Sequence, residues 1–259
     1  MKNFQKLSLC YLFISVFFIL LVSPVSVFSG GKSPVIEPKA DKLFREMSDY
    51  LGSLEQFSID GDITFEIVLN SGQKVQLSSA GGISLRRPNK FRAHRKGAVA
   101  DQEFYYDGKT FTLYGKKVNF YSTIAAPPAI EEALDYALAS FNLPAPGVDL
   151  LYKNTYDALL KDAISGFYVG LSLVGGVQCH HLAFRGKEVD WQIWIQKGEK
   201  PLPVKYLITS KWITGAPQYT TVLSNWNLKP DLGDDLFLFK PPKGAEKIDF
   251  IPFTFSENF

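Results

Sequence analysis

FSIDGDITFEIVL (57–69) decides the fold, because hydrophobic residues, with one glycine among them, occupy every second position. A period of two is typical of a β-strand with one apolar and one polar face, whereas an amphipathic helix repeats about every 3.6 residues. Asn70, Ser71 and Gly72 then form a turn signal, and a second strand is predicted near 74–85. The stretch therefore predicts an antiparallel hairpin whose apolar face lies against a core.

The alternating pattern continues through most of the chain. Tight turns at 107–108 and 115–116 join neighbouring strands in the first half. The glycine pairs at 81–82 and 175–176 are interpreted as kinks or turns that help a sheet to curve. Because a long antiparallel meander curls or closes as strands are added, we expect a strongly curved sheet. Further strands are predicted near 91–95, 103–106, 110–114, 118–121, 166–173, 178–185, 190–196, 204–212 and 218–228, with a short edge strand at 237–239.

Helical periodicity is present in three segments. Apolar residues repeat at three- and four-residue intervals in 39–54 and 129–141, and a shorter helix is predicted near 156–163. Pro127 and Pro128 precede the second helix, as expected for a helix start. Amphipathic helices need a hydrophobic surface to cover, so the prediction is an α+β fold in which helices cover the concave side of the curved sheet.

The N-terminus, MKNFQKLSLCYLFISVFFILLVSPVSVFSGGKS, has the pattern of a secretory signal. Lys2 and Lys6 precede an apolar run over 7–22, and small residues follow it. The run is shorter than the roughly 20 residues that a membrane-spanning helix prefers, although an uncleaved anchor is the alternative. We therefore predict a cleaved signal peptide at 1–29 and a single domain at 30–259.

The charge balance argues against a nucleic-acid partner. The whole chain has 28 lysines and arginines and 26 acidic residues. Loss of Lys2 and Lys6 with the signal peptide leaves the two in equal number, so no overall attraction to nucleic acid or to an anionic surface is expected. Cys179 would be the single cysteine of the exported chain, so no internal disulfide can form. Stability therefore depends on a packed core, which a chain of this length can build.

Cys179, His180 and His181 are the main candidates for catalysis or metal binding. On a strand, neighbours alternate faces, so Cys179 and His181 share one side while His180 points to the other. A zinc site needs three or four convergent ligands, and His94 is the one further histidine. A nucleophilic cysteine needs a base within hydrogen-bond reach, which the adjacent His180 does not provide. We therefore interpret the three as strand residues and predict no catalytic residue, metal or cofactor. A metal- or thiol-dependent enzyme using Cys179, His181 and His94 is the alternative.

One local excess of positive charge lies at 86–96, RRPNKFRAHRK. Two interpretations of this basic cluster stay open. It is either the solvated end of a hairpin, or a surface that meets anionic lipid headgroups or a protein partner.

Several stretches together carry a family resemblance. They contain Trp-Ile, Pro-Leu-Pro and Pro-Pro-x-Gly-Ala elements and cover most of the chain after the signal peptide. The stretches are LFREMSDYLGSLEQFSIDGDI (43–63), QCHHLAFR (178–185), DWQIWIQKGEKPLPVKYLIT (190–209), GAPQYTTVLSNWNLKP (215–230) and FLFKPPKGAEKIDF (237–250). They resemble the predicted periplasmic proteins called domain of unknown function 2092. The tail 250–259 extends past the usual end of that family.

The resemblance implies the lipoprotein-carrier architecture, which is LolA- or LppX-like. In that architecture a half-open antiparallel barrel of about eleven strands is lidded by helices over an apolar cavity. Proteins of this wider fold bind acyl chains or lipoprotein segments, and one group senses envelope stress. The resemblance also implies a periplasmic location. The family itself has no established activity, so it supplies no catalytic residue.

The resulting prediction is a non-enzymatic periplasmic binding or carrier protein for a lipid, an acylated protein or another hydrophobic ligand. It includes transient contact with the membrane or an envelope protein. The alternative from another class is a protein-interaction or stress-sensing module that uses the sheet edge or the basic cluster. An apolar cavity is expected where the helix 129–141 faces the concave sheet. The residues expected to line it are Leu134, Leu138 and Phe141 on the helix and Phe65, Ile67, Trp191, Ile193 and Ile195 on the strands.

Overall fold

The structure of the protein, a computed structural model, describes residues 35–249 apart from 99 and 142–145. The predicted signal peptide (1–29) and the tail 250–259 therefore lie outside the described residues. Within the described residues, none of the helices combines the length and the hydropathy that a membrane span requires.

Thirteen strands and three α-helices make up the described part of the chain, and most of them match the segments predicted from periodicity. The strands are β1 (Val35–Ile36), β2 (Gln56–Val68), β3 (Lys74–Arg86), β4 (Lys90–Gly97), β5 (Asp101–Tyr106), β6 (Thr110–Gly115), β7 (Phe120–Ala125), β8 (Ala163–Val174), β9 (Val177–Gly186), β10 (Val189–Gln196), β11 (Pro203–Ser210), β12 (Gln218–Asn227) and β13 (Glu246–Lys247). The helices are α1 (Pro38–Ser53), α2 (Ile130–Phe141) and α3 (Thr155–Leu160), with 3-10 turns at Val148–Leu151 and Asp234–Phe237.

All thirteen strands form one open sheet in the order β1-β8-β9-β10-β11-β12-β2-β3-β4-β5-β6-β7-β13. Neighbouring strands are antiparallel except at the two ends of the sheet, where β1 lies parallel to β8 and β13 lies parallel to β7. Eleven of the strands have six or more residues, and the two parallel end strands have two each. The predicted fold class is confirmed: an α+β fold with a curved, half-open antiparallel sheet of about eleven long strands and helices on one face.

The pairing of β12 with β2 joins two meanders that are separate in sequence. One meander runs from β2 to β7 and the other from β8 to β12. Across the junction, Tyr219 lies opposite Phe65, and Leu223 lies opposite Gly61. The two meanders therefore share one continuous surface on each side of the sheet.

The two longer helices pack on the same face of the sheet, which we call the inner face. α1 covers β9, β10 and β11, where the ring centroid of Phe44 lies 5.4 Å from that of Phe184 and 5.3 Å from that of Trp191. α2 covers the other half, where Leu134 belongs to the same core cluster as Phe57 and the apolar residues of β3 to β6. The core is thus two helix-covered clusters on one side of one sheet.

Glycines allow neighbouring strands to approach closely in the middle of the sheet. A Cβ atom at Gly81 would lie 2.3 Å from the carbonyl oxygen of His94, and one at Gly97 would lie 2.6 Å from the Cβ of Ser79. Real Cβ atoms do not tolerate such distances, so this backbone accepts only glycine at both positions. The close approach agrees with the interpretation of the glycine pair at 81–82 as a kink that curves the sheet.

The C-terminal segment packs across the outer face of β4 to β7. Phe237 is fully buried at the end of its 3-10 turn. The predicted edge strand at 237–239 is therefore wrong, and β13 is the strand at that edge. Aromatic side chains bury more area by lying across a sheet than beside it, which explains the difference. The ring of Phe239 lies within 5.5 Å of three tyrosine rings, those of Tyr105, Tyr114 and Tyr121.

The two leucines of α2 that lie one turn apart should differ in their effect on stability. Leu134 is 6% exposed and sits in the core, so Leu134→Ala should lower the free energy of unfolding by about 2–5 kcal/mol. Leu138 is half-buried, so Leu138→Ala should cost less than that range. Urea denaturation of both variants measures the difference. Equal losses would mean that Leu138 is an ordinary core residue.

Candidate ligand-binding site on the inner face

Three of the predicted lining residues, Trp191, Ile193 and Ile195, lie in a filled core. Each is at most 3% exposed, and all three pack against the apolar stripe of α1. α1 thus occupies the position that the sequence analysis gave to α2. The reason is where α2 begins: the amide of Ile130 donates to the carbonyl oxygen of Pro88 at 3.1 Å, on the other half of the sheet.

The predicted lining residues of α2 have different environments. Leu134 is buried in the second core cluster, together with Phe57. Leu138 lies one turn further along the helix and is half-buried. Phe141 is the last residue of α2, and its side chain lies outside what the structure describes. Leu138 is therefore the described residue of this group that has surface left for a ligand.

A row of inner-face residues continues beyond the cover of α1. The strand register aligns Trp191 with Ile208, and Ile208 with Tyr219. It then aligns Tyr219 with Phe65, and Phe65 with Leu77. Phe65 and Leu77 are half-buried and belong to none of the core clusters of the described residues. We call Ile208, Tyr219, Phe65 and Leu77 the inner-face patch.

The helices leave this patch uncovered because both are anchored at the opposite end of β2. α1 leads directly into Gln56, and Gln56 pairs with Arg86 next to the turn that holds the start of α2. Phe65 lies nine residues further along β2, which is about 30 Å at the rise of an extended strand. Ile63 and Ile67 flank Phe65 on the same side of the strand and are also half-buried. An apolar surface thus remains at the far end of the inner face.

The guanidinium of Arg95 lies on this surface. Arg95 lies four residues after the core residue Phe91 on β4. Because side chains on a strand repeat every second residue, both point to the inner face. The guanidinium carbon lies 4.9 Å from the ring centroid of Phe65, and Nε donates to Oγ of Ser79 at 3.0 Å. Burial raises the pKa of Tyr219 to about 12, and the positive charge of Arg95 acts in the opposite direction. The patch therefore combines apolar area with a fixed positive charge.

Two clefts of the described residues lie elsewhere and are not enclosed apolar cavities. One of about 400 Å³ lies between α1 and α3. The other has a volume of about 570 Å³ and is lined by Glu55, Gln56, Arg86, Arg87, Pro88 and Lys153. Neither cleft includes a residue predicted to line an apolar pocket.

Four of the six lysines and arginines at 86–96 form ion pairs with carboxylates of the described protein. Burial lowers the pKa of Arg87, and the charge of Glu131 opposes that shift. These contacts make the cluster part of the folded structure, which neither of the two interpretations of the sequence foresaw. The ion pairs are Arg86–Asp234, Arg87–Glu131 at 3.4 Å, Lys90–Asp234 at 4.0 Å and Arg92–Glu103 at 3.1 Å.

Cys179 and His181 share the outer face of β9 and are held by structural contacts. Cys179 is fully buried, and its Sγ donates to the carbonyl oxygen of Val177 at 3.4 Å. The ring of His181 stacks on Trp194 with a centroid distance of 4.0 Å, and its Nε2 lies 2.9 Å from Oε1 of Gln192. The histidine is thus a partner of neighbouring strand residues rather than a base for the thiol.

The two remaining histidines lie away from this pair. His180 points to the other face, where its Nδ1 lies 3.2 Å from the hydroxyl oxygen of Tyr168. His94 lies on β4, six strand spacings from β9, which is about 29 Å along the sheet. Over the described residues, no three His, Cys, Asp or Glu side chains are grouped so that they could hold a metal ion. The trio Cys179, His181 and His94 therefore does not converge on one site.

Sequence reasoning named Arg95 only as one member of the basic cluster at 86–96, and it missed Tyr219 and Leu77 as patch residues. A signal for Arg95 was present, because FRAHRKG (91–97) places Phe91, Ala93 and Arg95 on one face of a strand. The alignment of Tyr219 with Phe65 had no such signal, since it depends on which remote strands become neighbours.

Comparison with known proteins places this geometry in a family context. A model of the family described as predicted periplasmic protein (DUF2092) matches residues 40–251. An uncharacterized protein of Methanocaldococcus jannaschii, MJ0687, is 24% identical over 260 residues. The match covers 96% of this chain and 63% of the relative, so this chain spans less than two thirds of that protein's length.

Solved structures are similar at lower identity. MucB is 14% identical with a TM-score of 0.45, over 79% of this chain and 64% of MucB. LprF from Mycobacterium bovis is also 14% identical, with a TM-score of 0.45, over 82% of this chain and 99% of LprF. The lipoprotein LppX of Mycobacterium tuberculosis is 12% identical, with a TM-score of 0.41, over 76% of this chain and 100% of LppX.

The thiol of Cys179 should be inert in the folded protein. It is fully buried, and burial raises its pKa, so little reactive thiolate is available. Ellman's reagent should react with the native protein at least ~100-fold more slowly than with the protein in urea, because reaction requires local opening. Rapid reaction at neutral pH without denaturant would contradict the predicted inertness of Cys179. It would then favour the alternative of a thiol-dependent enzyme.

Proposed function

The chain belongs to the DUF2092 family of predicted periplasmic proteins, and from this premise we propose that it is a non-enzymatic binding or carrier protein for a hydrophobic ligand in the cell envelope. The ligand class is a lipid, the acyl group of an acylated protein or another hydrophobic small molecule. In this proposal the ligand lies on the inner-face patch.

The uncovered patch is the observation that carries the proposal. Phe65 and Leu77 continue the row that α1 covers at Trp191, yet no described helix covers them. Apolar side chains on the inner face of a sheet are ordinarily packed against a second layer. An apolar ligand would complete that layer, because burial of its surface stabilises the complex by about 25 cal/mol for each Å² removed from water.

The lining residues of the proposed site follow from what is still accessible. Phe65 and Ile67 remain proposed ligand contacts, because each is half-buried on the uncovered part of β2, whereas the half-buried Leu138 lies on α2, which does not cover the patch. The residues that the sequence analysis placed beside them on the buried strands and in the α2 core already have protein partners. These are Leu134, Trp191, Ile193 and Ile195.

The supporting chemistry is that of binding rather than of reaction. His180 and His181 have partners that hold them in the sheet, and the one described cysteine is buried. By contrast, the patch offers apolar area, which needs no reacting group to retain a ligand. Release would follow from the exposure of the patch at the end of the sheet.

Replacement of Phe65 should weaken capture of an apolar ligand. Phe65→Ala removes the largest apolar side chain of the patch, so the dissociation constant of a fluorescent apolar probe should rise about tenfold. Phe167→Ala is the matched control, because Phe167 is 55% exposed on β8 and lies away from the patch. Fluorescence titration measures both variants. Equal probe affinity in Phe65→Ala and the wild type would contradict the proposed site.

Extraction of the protein purified from the envelope, followed by lipid mass spectrometry, tests the proposal independently. The expected result is one class of hydrophobic molecule in stoichiometric amount in the wild type and less of it in Phe65→Ala. Repeated recovery of wild-type protein without any such molecule, together with no probe binding, would contradict the carrier function.

A protein-interaction module is the second candidate, and it is favoured by the part of β8 after Tyr168, beside which the structure describes no strand on the β1 side. β1 pairs with β8 at Ser165 and Gly166, and Phe167 beyond this pair is exposed. An exposed apolar edge strand is a ready template for pairing with a strand of another protein. The other exposed apolar residues of this part of β8 are Val169, Leu171 and Leu173.

A charge on this edge separates the two candidates. If the protein is an interaction module, Leu171→Lys should abolish co-purification of one stoichiometric envelope protein and leave probe binding unchanged. If the protein is a carrier, the same variant should leave both the extracted lipid and the probe affinity unchanged. Loss of a specific protein partner in the absence of any bound lipid would favour the interaction module.

A further inference from the structure

Arg95 differs from the other arginines of the basic cluster in that its ion partner is missing. The others in the cluster, Arg86, Arg87 and Arg92, each pair with a carboxylate. Arg95 makes no ion pair with any residue that the structure describes, and its one hydrogen bond to protein goes from Nε to Ser79. The two Nη groups of the guanidinium therefore remain free to donate.

The position of Arg95 makes this absence informative. An arginine on a solvated face needs no partner, but Arg95 is half-buried on the inner face, next to Phe65. A partly desolvated cation is stabilised by an anion within contact distance. Asp149 is the carboxylate whose charge acts on Tyr206 in the neighbouring row, but it is half-buried and forms no ion pair with Arg95. The described protein thus supplies no anion at this point.

We propose that the ligand of the inner-face patch is an anionic amphiphile whose carboxylate or phosphate is bound by Arg95, an inference that rests on the proposed function. The planar guanidinium presents two parallel N–H groups that match the two oxygens of a carboxylate or phosphate. The hydrocarbon chain lies along the row from Leu77 through Phe65 and Tyr219 to Ile208. This row crosses four strands, or about 14 Å, which suits a medium-length acyl chain.

The contact of Arg95 with Phe65 joins the two halves of such a ligand site. The guanidinium carbon stands 4.9 Å from the ring centroid, so an oxyanion on the Nη groups begins where the apolar row begins. The hydrogen bond to Ser79 fixes the guanidinium at Nε and leaves its other edge available. Arg95 would therefore select the head group, while the patch would retain the chain.

Two ligands that differ only in charge test this inference. Dodecanoate below its micelle concentration and dodecanol below its solubility limit compete with a bound apolar fluorescent probe on the full chain. The wild type should bind dodecanoate about tenfold more tightly than dodecanol, and added salt should reduce that preference. Arg95→Gln should lose the preference and keep the affinity for dodecanol. Arg95→Lys should retain part of the preference for dodecanoate. Lysine keeps the positive charge but lacks the two parallel N–H donors of the guanidinium.

Lys96→Gln is the matched control, because Lys96 is the next residue on β4, points to the outer face and is exposed. This variant should keep the preference of the wild type. Urea denaturation confirms that each variant is folded. Dodecyl phosphate in place of dodecanoate distinguishes a phospholipid-like head group from a fatty acid, since the tighter of the two identifies the source.

The outcomes separate this inference from the proposed function. Failure of both dodecanoate and dodecanol to displace the probe would remove the apolar site itself. Equal affinity for the two, unchanged in Arg95→Gln, would overturn the role of Arg95 and leave apolar binding intact. Acetate or inorganic phosphate competing as strongly as dodecanoate would show that the site binds a small anion, not an amphiphile.

Discussion

The antiparallel pairing of β12 with β2 is the contact on which the rest of the sheet depends. It joins the meander β2–β7 to the meander β8–β12, and its register sets which side of each meander faces the helices. A slip of one residue would turn Phe57 and Phe65 to the face opposite Trp191, so the apolar surfaces under α1 and α2 would no longer lie on one side of the sheet. Because both core clusters include Leu223 of β12 among their packed neighbours, the junction also ties the two halves of the core together.

The placement of the helices follows from the same end of the sheet and creates the candidate site. α1 enters β2 at Gln56, and α2 starts at the turn after Arg86, which pairs with Gln56. Both helices therefore cover the inner face near that end, and the strands are longer than the layer above them. The half-buried patch around Phe65 is the part of the inner face that the helices leave uncovered. We propose this uncovered area, at the far end of the sheet, as the ligand site.

Much of the fold could be predicted from the sequence, whereas the site could be predicted only in part. Period-two and period-3.6 patterns placed nearly every long strand and helix, because these signals are local. The same patterns put Phe65 and Trp191 on one face, and the register shows that they share a row. They could not show that α1 covers Trp191, since periodicity does not encode which helix packs on which strands. The prediction of an edge strand at 237–239 was wrong for a related reason. The alternating pattern of the segment resembles an edge strand, but its aromatic rings pack across the sheet.

The sequence by itself determined the α+β class, the antiparallel meander and the apolar face of each strand. It also showed that Cys179 and His181 would sit on a strand with His180 pointing away. The tertiary structure alone decided which of these faces stays uncovered and where charges meet. Arg95 is one of many basic residues in the sequence. It becomes distinctive in the fold, because the register brings it over Phe65 and no carboxylate among residues 35–249, as far as they are described, pairs with it. Such long-range placement depends on packing between remote segments.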